Sequence, residues 1–272
     1  MSTGTEHMDL NELKVLPQGK KIFFASDFHL GAPNAEQSLI RERKIVRWLD
    51  HIEAEAHAIL FLGDIFDFWF EYKTVVPRGF NRFFGKLAAL KDRGIHVYML
   101  TGNHDMWMFD FFPKEFGIPV IKQQPISITI NNTRLMFGHG DGLGPGDKKY
   151  KFLKKIFANP FCQWCFERLH PNLGIGIATR WSHGSRAQNA DFDEQFLGDD
   201  EWIYAYCKAV EEQQHHDYYL FGHRHLPMNL SVSDNSRYLN LGEWISHCLY
   251  GEFDGQKLEL RNFESETKPI NN

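Results

Sequence analysis

Five times along this chain an apolar run stops at a short cluster of aspartate, histidine or asparagine, and this pattern constrains the fold more than any other feature. The clusters are Asp27-Phe28-His29, Gly63-Asp64, Gly102-Asn103-His104-Asp105, Gly138-His139-Gly140-Asp141 and Gly222-His223-Arg224-His225. The runs before them, Lys20 to Ser26, Ala58 to Leu62, Ile95 to Leu100, Arg134 to Phe137 and Tyr218 to Phe221, are short and rich in β-formers, so each reads as a buried strand. Glycine before four of the clusters lets the backbone turn sharply and present the polar residue to a crevice.

Helical patterns alternate with these strands. Glu36 to Glu55 carries Leu39, Ile40, Ile45, Trp48, Leu49 and Ile52 at helical spacing, and Arg82 to Asp92 and Glu201 to Gln214 read the same way. Ile126 to Ile130 and Arg134 to Phe137 flank Asn131-Asn132 as a hairpin. Arg237 to Leu241, His247 to Phe253 and Lys257 to Asn262 form a terminal run of strands. The order predicts an α/β fold of two packed mixed β-sheets flanked by helices. Residues 1–272 are expected to make a single domain, interrupted at about residues 143–199 by a helical insertion or cap. Parallel strands place functional loops at their carboxyl ends, where every polar cluster falls.

One D-x-H triplet is commonly a capped turn, but five clusters in one order point to a metal or catalytic centre. Nitrogen and oxygen donors without thiolate suit manganese, iron, cobalt, nickel or zinc, and manganese is the first choice. The clusters D-x-H, G-D, G-N-H-D, G-H-G-D and G-H-R-H, from about Ile22 to Glu243, resemble the calcineurin-like metallophosphoesterases. The resemblance implies two divalent metal ions: Asp27, His29 and His225 on the first, Asn103, His139 and His223 on the second, and Asp64 bridging. Such a pair neutralises an anionic phosphoester and generates a nucleophile from water. His104, next to Asn103, would stand over the phosphate as a cation or proton donor. Asp105 either orients His104 or caps the following helix.

The stretch from Lys148 to His170 mixes five lysines with Phe, Trp, Leu and Ile. This pattern suits a helix resting on a membrane surface or beside a lipid, and equally a cap packed on its own core. Asp64-Ile65-Phe66-Asp67-Phe68-Trp69, Asp147-Lys148-Lys149-Tyr150, and Ile177-Ala178-Thr179-Arg180 leading to Ser185-Arg186-Ala187-Gln188-Asn189 resemble one branch of that family. Its members cleave the diphosphate of UDP-2,3-diacylglucosamine to UMP and 2,3-diacylglucosamine 1-phosphate in lipid A biosynthesis. The resemblance implies a nucleotide-linked glycolipid substrate and makes Asp147, Arg180, Ser185 and Asn189 candidate substrate contacts. In some members arginine stands where this chain has His104. The alternatives are a phosphoesterase acting on a soluble phosphodiester or phosphomonoester, and a non-catalytic scaffold.

A net charge of −5 argues against a nucleic-acid partner. The first twenty residues lack the apolar core and small-residue cleavage site of a signal peptide, no later run reaches membrane-span length, and four cysteines suggest no disulfide framework. A cytoplasmic location is expected, with the insertion able to rest on the cytoplasmic face of the inner membrane. The spacing of Cys162 and Cys165 predicts two thiols packed on one helix face, and His215-His216 reads as a solvent-facing or capping pair at a helix end. Oligomeric state is not encoded in any motif.

Overall fold

The computed structural model describes residues 10–146, 148–180, 182 and 195–267. Strands β1 (Lys21–Ala25), β2 (Ala56–Phe61), β3 (His96–Leu100) and β4 (Val120–Ile121) pair in parallel, and β10 (Leu249–Phe253) and β11 (Leu258–Asn262) extend the sheet in the order β11-β10-β1-β2-β3-β4. The second sheet runs β5 (Ile126–Ile130), β6 (Thr133–Gly138), β7 (Tyr218–Phe221), β9 (Ser236–Asn240) and β8 (Met228–Ser233). Both sheets mix parallel and antiparallel pairs.

Alternation along each strand builds the layers, because successive side chains point to opposite faces. In β1, Phe23 and Ala25 face one core with Ile45, Trp48 and Leu49 of helix α1 (Ala35–Ile52), while Ile22 and Phe24 face the other sheet. In β3, Val97 and Met99 face the helices, and Tyr98 and Leu100 face inward. β7 repeats this from the other side. Its Leu220 joins the core between the sheets, and Tyr219 and Phe221 meet Ile203 and Cys207 of the helix Trp202–Glu211. The result is helix, sheet, sheet, helix, with three apolar interfaces.

Helix α1 opens where Asn34 accepts a hydrogen bond from the Gln37 N–H at 3.0 Å. Its buried Glu42 accepts from the backbone N–H groups of Arg82 and Phe83, at the start of α2 (Asn81–Asp92). One acidic side chain thereby fixes the angle between the two helices that cover the first sheet.

Two strands escape the sequence pattern. β4 is two residues long, and β8 reads Met-Asn-Leu-Ser-Val-Ser on a sheet edge, where only part of one face is buried. Helix α3 (Phe111–Phe116) lies between β3 and β4, and after β6 come α4 (Lys148–Phe157), α5 (Pro160–Glu167) and helical residues 171–180. Helices α4 and α5 pack aromatic rings onto the loops after β2 and β3. Phe166 lies 4.7 Å from Phe70 and 4.9 Å from Trp107 between ring centroids, and Trp107 donates to the Phe157 carbonyl at 2.8 Å.

Two expectations fail here. Cys165 is exposed and Cys162 half-exposed, because α5 buries none of its residues fully. Of the histidine pair, His215 is exposed at the helix end beside Glu211, but His216 is buried, held by Ser127 Oγ at 2.7 Å, since the chain turns inward to begin β7.

Candidate metal centre

The five clusters converge at the carboxyl ends of β1, β2, β3, β6 and β7. Neighbouring parallel strands bring the first three side by side, and the packing of the sheets brings the last two against them. Asp27, His29, Asp64, His223 and His225 all have positive φ, from 44° to 69°. L-residues occupy this region at a cost and seldom without functional reason. Arg41 holds the first loop in shape: its buried guanidinium donates to the carbonyls of Phe28, His29 and Ala32, each at 2.6 Å.

Two groups of donors share Asp64. In the first, His29 Nε2 and His225 Nε2 stand 3.0 Å apart, with Asp27 Oδ1 at 3.4 Å from His225 and 3.8 Å from His29. Asp64 Oδ2 lies 3.9 Å from His29 Nε2. In the second, Asn103 Oδ1 is 3.0 Å from His139 Nε2 and 2.9 Å from His223 Nδ1, and Asp64 Oδ2 is 3.4 Å from His139 Nε2. All seven residues singled out as ligands are thus gathered around one carboxylate.

The geometry fits a pair of cations. Asp27 Oδ1 is buried with no hydrogen-bond partner among the described residues, a costly state for a carboxylate oxygen unless positive charge is supplied. A Cβ on Gly102 would fall 2.2 Å from Asp64 Oδ1, and one on Gly222 would fall 2.3 Å from Asp27 Oδ2. The backbone therefore closes on both carboxylates from behind and leaves them facing the crevice. The His139 ring is fixed by the Leu62 carbonyl at 2.9 Å from Nδ1, which turns Nε2 toward the centre.

Charge within the cluster follows from burial and proximity. Burial pushes the Asp64 carboxyl up, but the charges of His139 and His104 reverse this and hold it well below the usual carboxylate range. Burial disfavours the His139 imidazolium, yet Asp64 beside it raises that pKa to about 10. Burial and the His139 charge push His223 down to about 4. Asp64 therefore draws positive charge to His139, while His223 beside it is kept neutral.

His104 stands at the rim. Its Nε2 points to Asp64 Oδ2 at 4.0 Å, and its Nδ1 is 2.9 Å from the Asp67 carbonyl and 3.1 Å from Ser182 Oγ. Asp105 plays neither of its expected parts. Its buried carboxylate accepts from the N–H of Gly102 at 2.7 Å, Ile65 at 2.7 Å and Asp64 at 3.3 Å, so it ties the second and third loops together. It does not orient His104, and the N–H groups at the start of the helix that follows donate instead to Glu71, those of Asp110 at 2.7 Å and Phe111 at 3.1 Å. Burial and the Asp64 charge raise its carboxyl above the usual range.

Asp67 is the residue that sequence reasoning passed over. Buried, three positions after Asp64, its Oδ1 lies 3.7 Å from His29 Nδ1 and 3.8 Å from His104 Nδ1. The i, i+3 repeat of aspartate in Asp64-Ile65-Phe66-Asp67 was the available signal. Asp141, in the fourth cluster, accepts from Lys154 Nζ at 2.5 Å and from the Tyr150 hydroxyl, so it anchors α4.

An apolar cavity of about 340 Å³ opens beside Asn103 and His104, walled by Phe68, Trp107, Leu153, Phe157, Phe166 and Ile177. Arg180 is exposed and is not among the residues lining it. Asp147, Ser185 and Asn189 lie outside the described residues.

Residues 20–227 match the calcineurin-like phosphoesterase family. A UDP-2,3-diacylglucosamine hydrolase of Porphyromonas gingivalis is 36% identical over 259 residues, covering 90% of this chain and 98% of that one. Proteins of the same name from Aeromonas salmonicida and Edwardsiella ictaluri are each 27% identical, covering 89% and 87% of this chain and 94% and 90% of theirs. With a family match across most of its length and relatives spanning nearly all of it, the chain belongs to the calcineurin-like phosphoesterases.

Proposed function

We propose that this phosphoesterase hydrolyses the diphosphate of UDP-2,3-diacylglucosamine, releasing UMP and 2,3-diacylglucosamine 1-phosphate in lipid A biosynthesis. The observation that carries the reading is the apolar cavity, which begins at Asn103 and His104 and runs under α4, α5 and residues 171–180. A substrate whose diphosphate meets the donor cluster can lay an acyl chain directly into it. Residues 143–199 then act as a cap inserted in a single domain.

In this reading Asp27, His29 and His225 hold one divalent ion, Asn103, His139 and His223 a second, and Asp64 both. Manganese suits the mixed imidazole and carboxylate set. When bound, such a pair neutralises phosphate charge and acidifies water. The protein's own groups do the rest. Arg41 and Asp105 keep the loops rigid, so that little reorganisation accompanies reaction. His104 Nε2, at the rim and aimed inward, hydrogen-bonds a phosphate oxygen and supplies a proton to the leaving group. Phe68, Trp107 and Phe166 keep water from the lipid side.

The exposed Phe152, Phe161 and Trp164, among lysines of α4 and Arg168, supply a face for an anionic membrane surface from which a lipid substrate is drawn. No helix among the described residues is long and apolar enough to cross a membrane.

Purified protein with Mn²⁺ and UDP-2,3-diacylglucosamine should release UMP. Turnover of bis(p-nitrophenyl) phosphate without release of UMP would overturn the assignment.

A further inference from the structure

We infer that Ser182 is a positioning residue through which the helical segment over the cavity aims His104 at the reacting phosphate. The inference rests on the phosphoester chemistry proposed above and adds to it a residue outside the five clusters.

Ser182 is buried, and its Oγ lies 3.1 Å from His104 Nδ1, 3.1 Å from Asp67 Oδ1 and 3.3 Å from the Asp67 carbonyl. The hydrogen positions follow from what each group can do. A carbonyl only accepts, so His104 Nδ1, 2.9 Å from that of Asp67, carries the ring hydrogen. A hydroxyl has one hydrogen and two lone pairs. The Ser182 hydrogen goes to the Asp67 carboxylate, and a Ser182 lone pair shares the Nδ1 hydrogen. Ring, carboxylate and hydroxyl then form one hydrogen-bonded network, with Nε2 turned toward Asp64 at 4.0 Å.

What makes this more than local support is where Ser182 comes from. It stands 115 residues from Asp67 and 78 from His104. It is delivered by the helical stretch whose Ile177 and Ala178 line the apolar cavity. At Gly174 the same stretch approaches the hydroxyl of buried Tyr72 so closely that a Cβ would fall 2.5 Å from it. A chain seated against Ile177 and Ala178 therefore presses on the segment that holds the catalytic imidazole. Binding energy from the part of the substrate that does not react is thereby applied at the part that does.

The test is a double-mutant cycle on the metal-loaded, full-length protein, comparing wild type, Ser182→Ala, His104→Ala and the double variant. Ser182→Ala should lower kcat on the order of 10–100-fold, the scale of a misaligned catalytic group, with KM changed by less than about threefold. In the His104→Ala background the same substitution should cost less than about threefold, because the group it positions is gone. In metal-free protein labelled with ¹⁵N-histidine, loss of Ser182 should shift the His104 ring-nitrogen signals and leave those of His247 in place. An unchanged kcat, a loss confined to KM, or an equal loss with and without His104 would overturn the inference. If wild type releases no UMP from UDP-2,3-diacylglucosamine, the proposed substrate falls. The His104 ring-nitrogen signals, which need no turnover, still judge Ser182.

Discussion

His29 and His225 face each other nitrogen to nitrogen, their Nε2 atoms 3.0 Å apart although 196 residues separate them along the chain. Two neutral imidazoles in that pose need a proton between them, and a divalent cation can take both lone pairs instead. With the buried Asp27 oxygen beside them, the arrangement explains why a phosphoesterase of this kind should be stabilised by metal. At an ion concentration about 100 times Kd the gain should reach ~2.7 kcal/mol. Calorimetric melts with Mn²⁺ and after chelation check this, and Asp27→Ala should remove most of the difference. Asp64→Ala, which takes a donor from both groups, should lower activity by about 1,000-fold or more while leaving the circular dichroism of the fold in place.

Gly102 lies so near Asp64 that a methyl group would meet both its carboxylate and its backbone N–H. Gly102→Ala should therefore push the shared ligand out of place and weaken ion binding on the order of 10–100-fold, comparable to loss of a supporting contact. Titration calorimetry with Mn²⁺ reads the loss directly. Unchanged affinity would show that the loop has slack the structure does not show.

Leu153 lines the apolar cavity from α4, away from the ion donors. Leu153→Trp fills that space, so turnover of the acylated substrate should fall about tenfold or more. Hydrolysis of bis(p-nitrophenyl) phosphate should stay within about twofold. Equal losses on both substrates would argue that the cavity has no part in substrate choice.

Glu211 provides a pH signature remote from the centre. Burial pushes its carboxyl up, but hydrogen bonds from His215, the His216 N–H, Tyr219 and Ser233 overcome this and bring it from 4.5 to about 2. A depressed carboxyl pKa contributes stability that is complete above the unfolded value and is lost as pH falls through the folded one. The window here runs from about pH 4.5 down to about pH 2. Glu211→Gln should cost ~1–3 kcal/mol at pH 7, allowing for solvent screening. The deficit should shrink steadily below pH 4.5. Urea melts of both proteins at pH 7 and pH 3 measure it.

The ion donors were legible in the sequence because a strand end is a fixed address: once the apolar runs are recognised as parallel strands, Asp27, Asp64 and Asn103 must share one edge of the first sheet and His139 and His223 one edge of the second. The same periodicity located α1 and the helix Trp202–Glu211 to within a few residues. What stayed hidden depends on contacts between distant segments. Asp105 looks like a partner for neighbouring His104, yet the tight turn aims its carboxylate back at Gly102 and Ile65. Ser182 carries no local pattern, and its meaning comes from helix packing that brings it to Asp67. His216 looks like one half of a polar pair at a helix end until the start of β7 draws it inside.

The donors are divided between the two sheets: Asp27, His29, Asp64 and Asn103 follow strands of one, and His139, His223 and His225 follow strands of the other. Ion affinity is therefore also a gauge of how the two layers are stacked. A swelling of the core between them that left every strand intact would draw the last three away from the first four. Leu100 and Leu220, which pack in that core and offer no donor atom, help to set the spacing that the ions require.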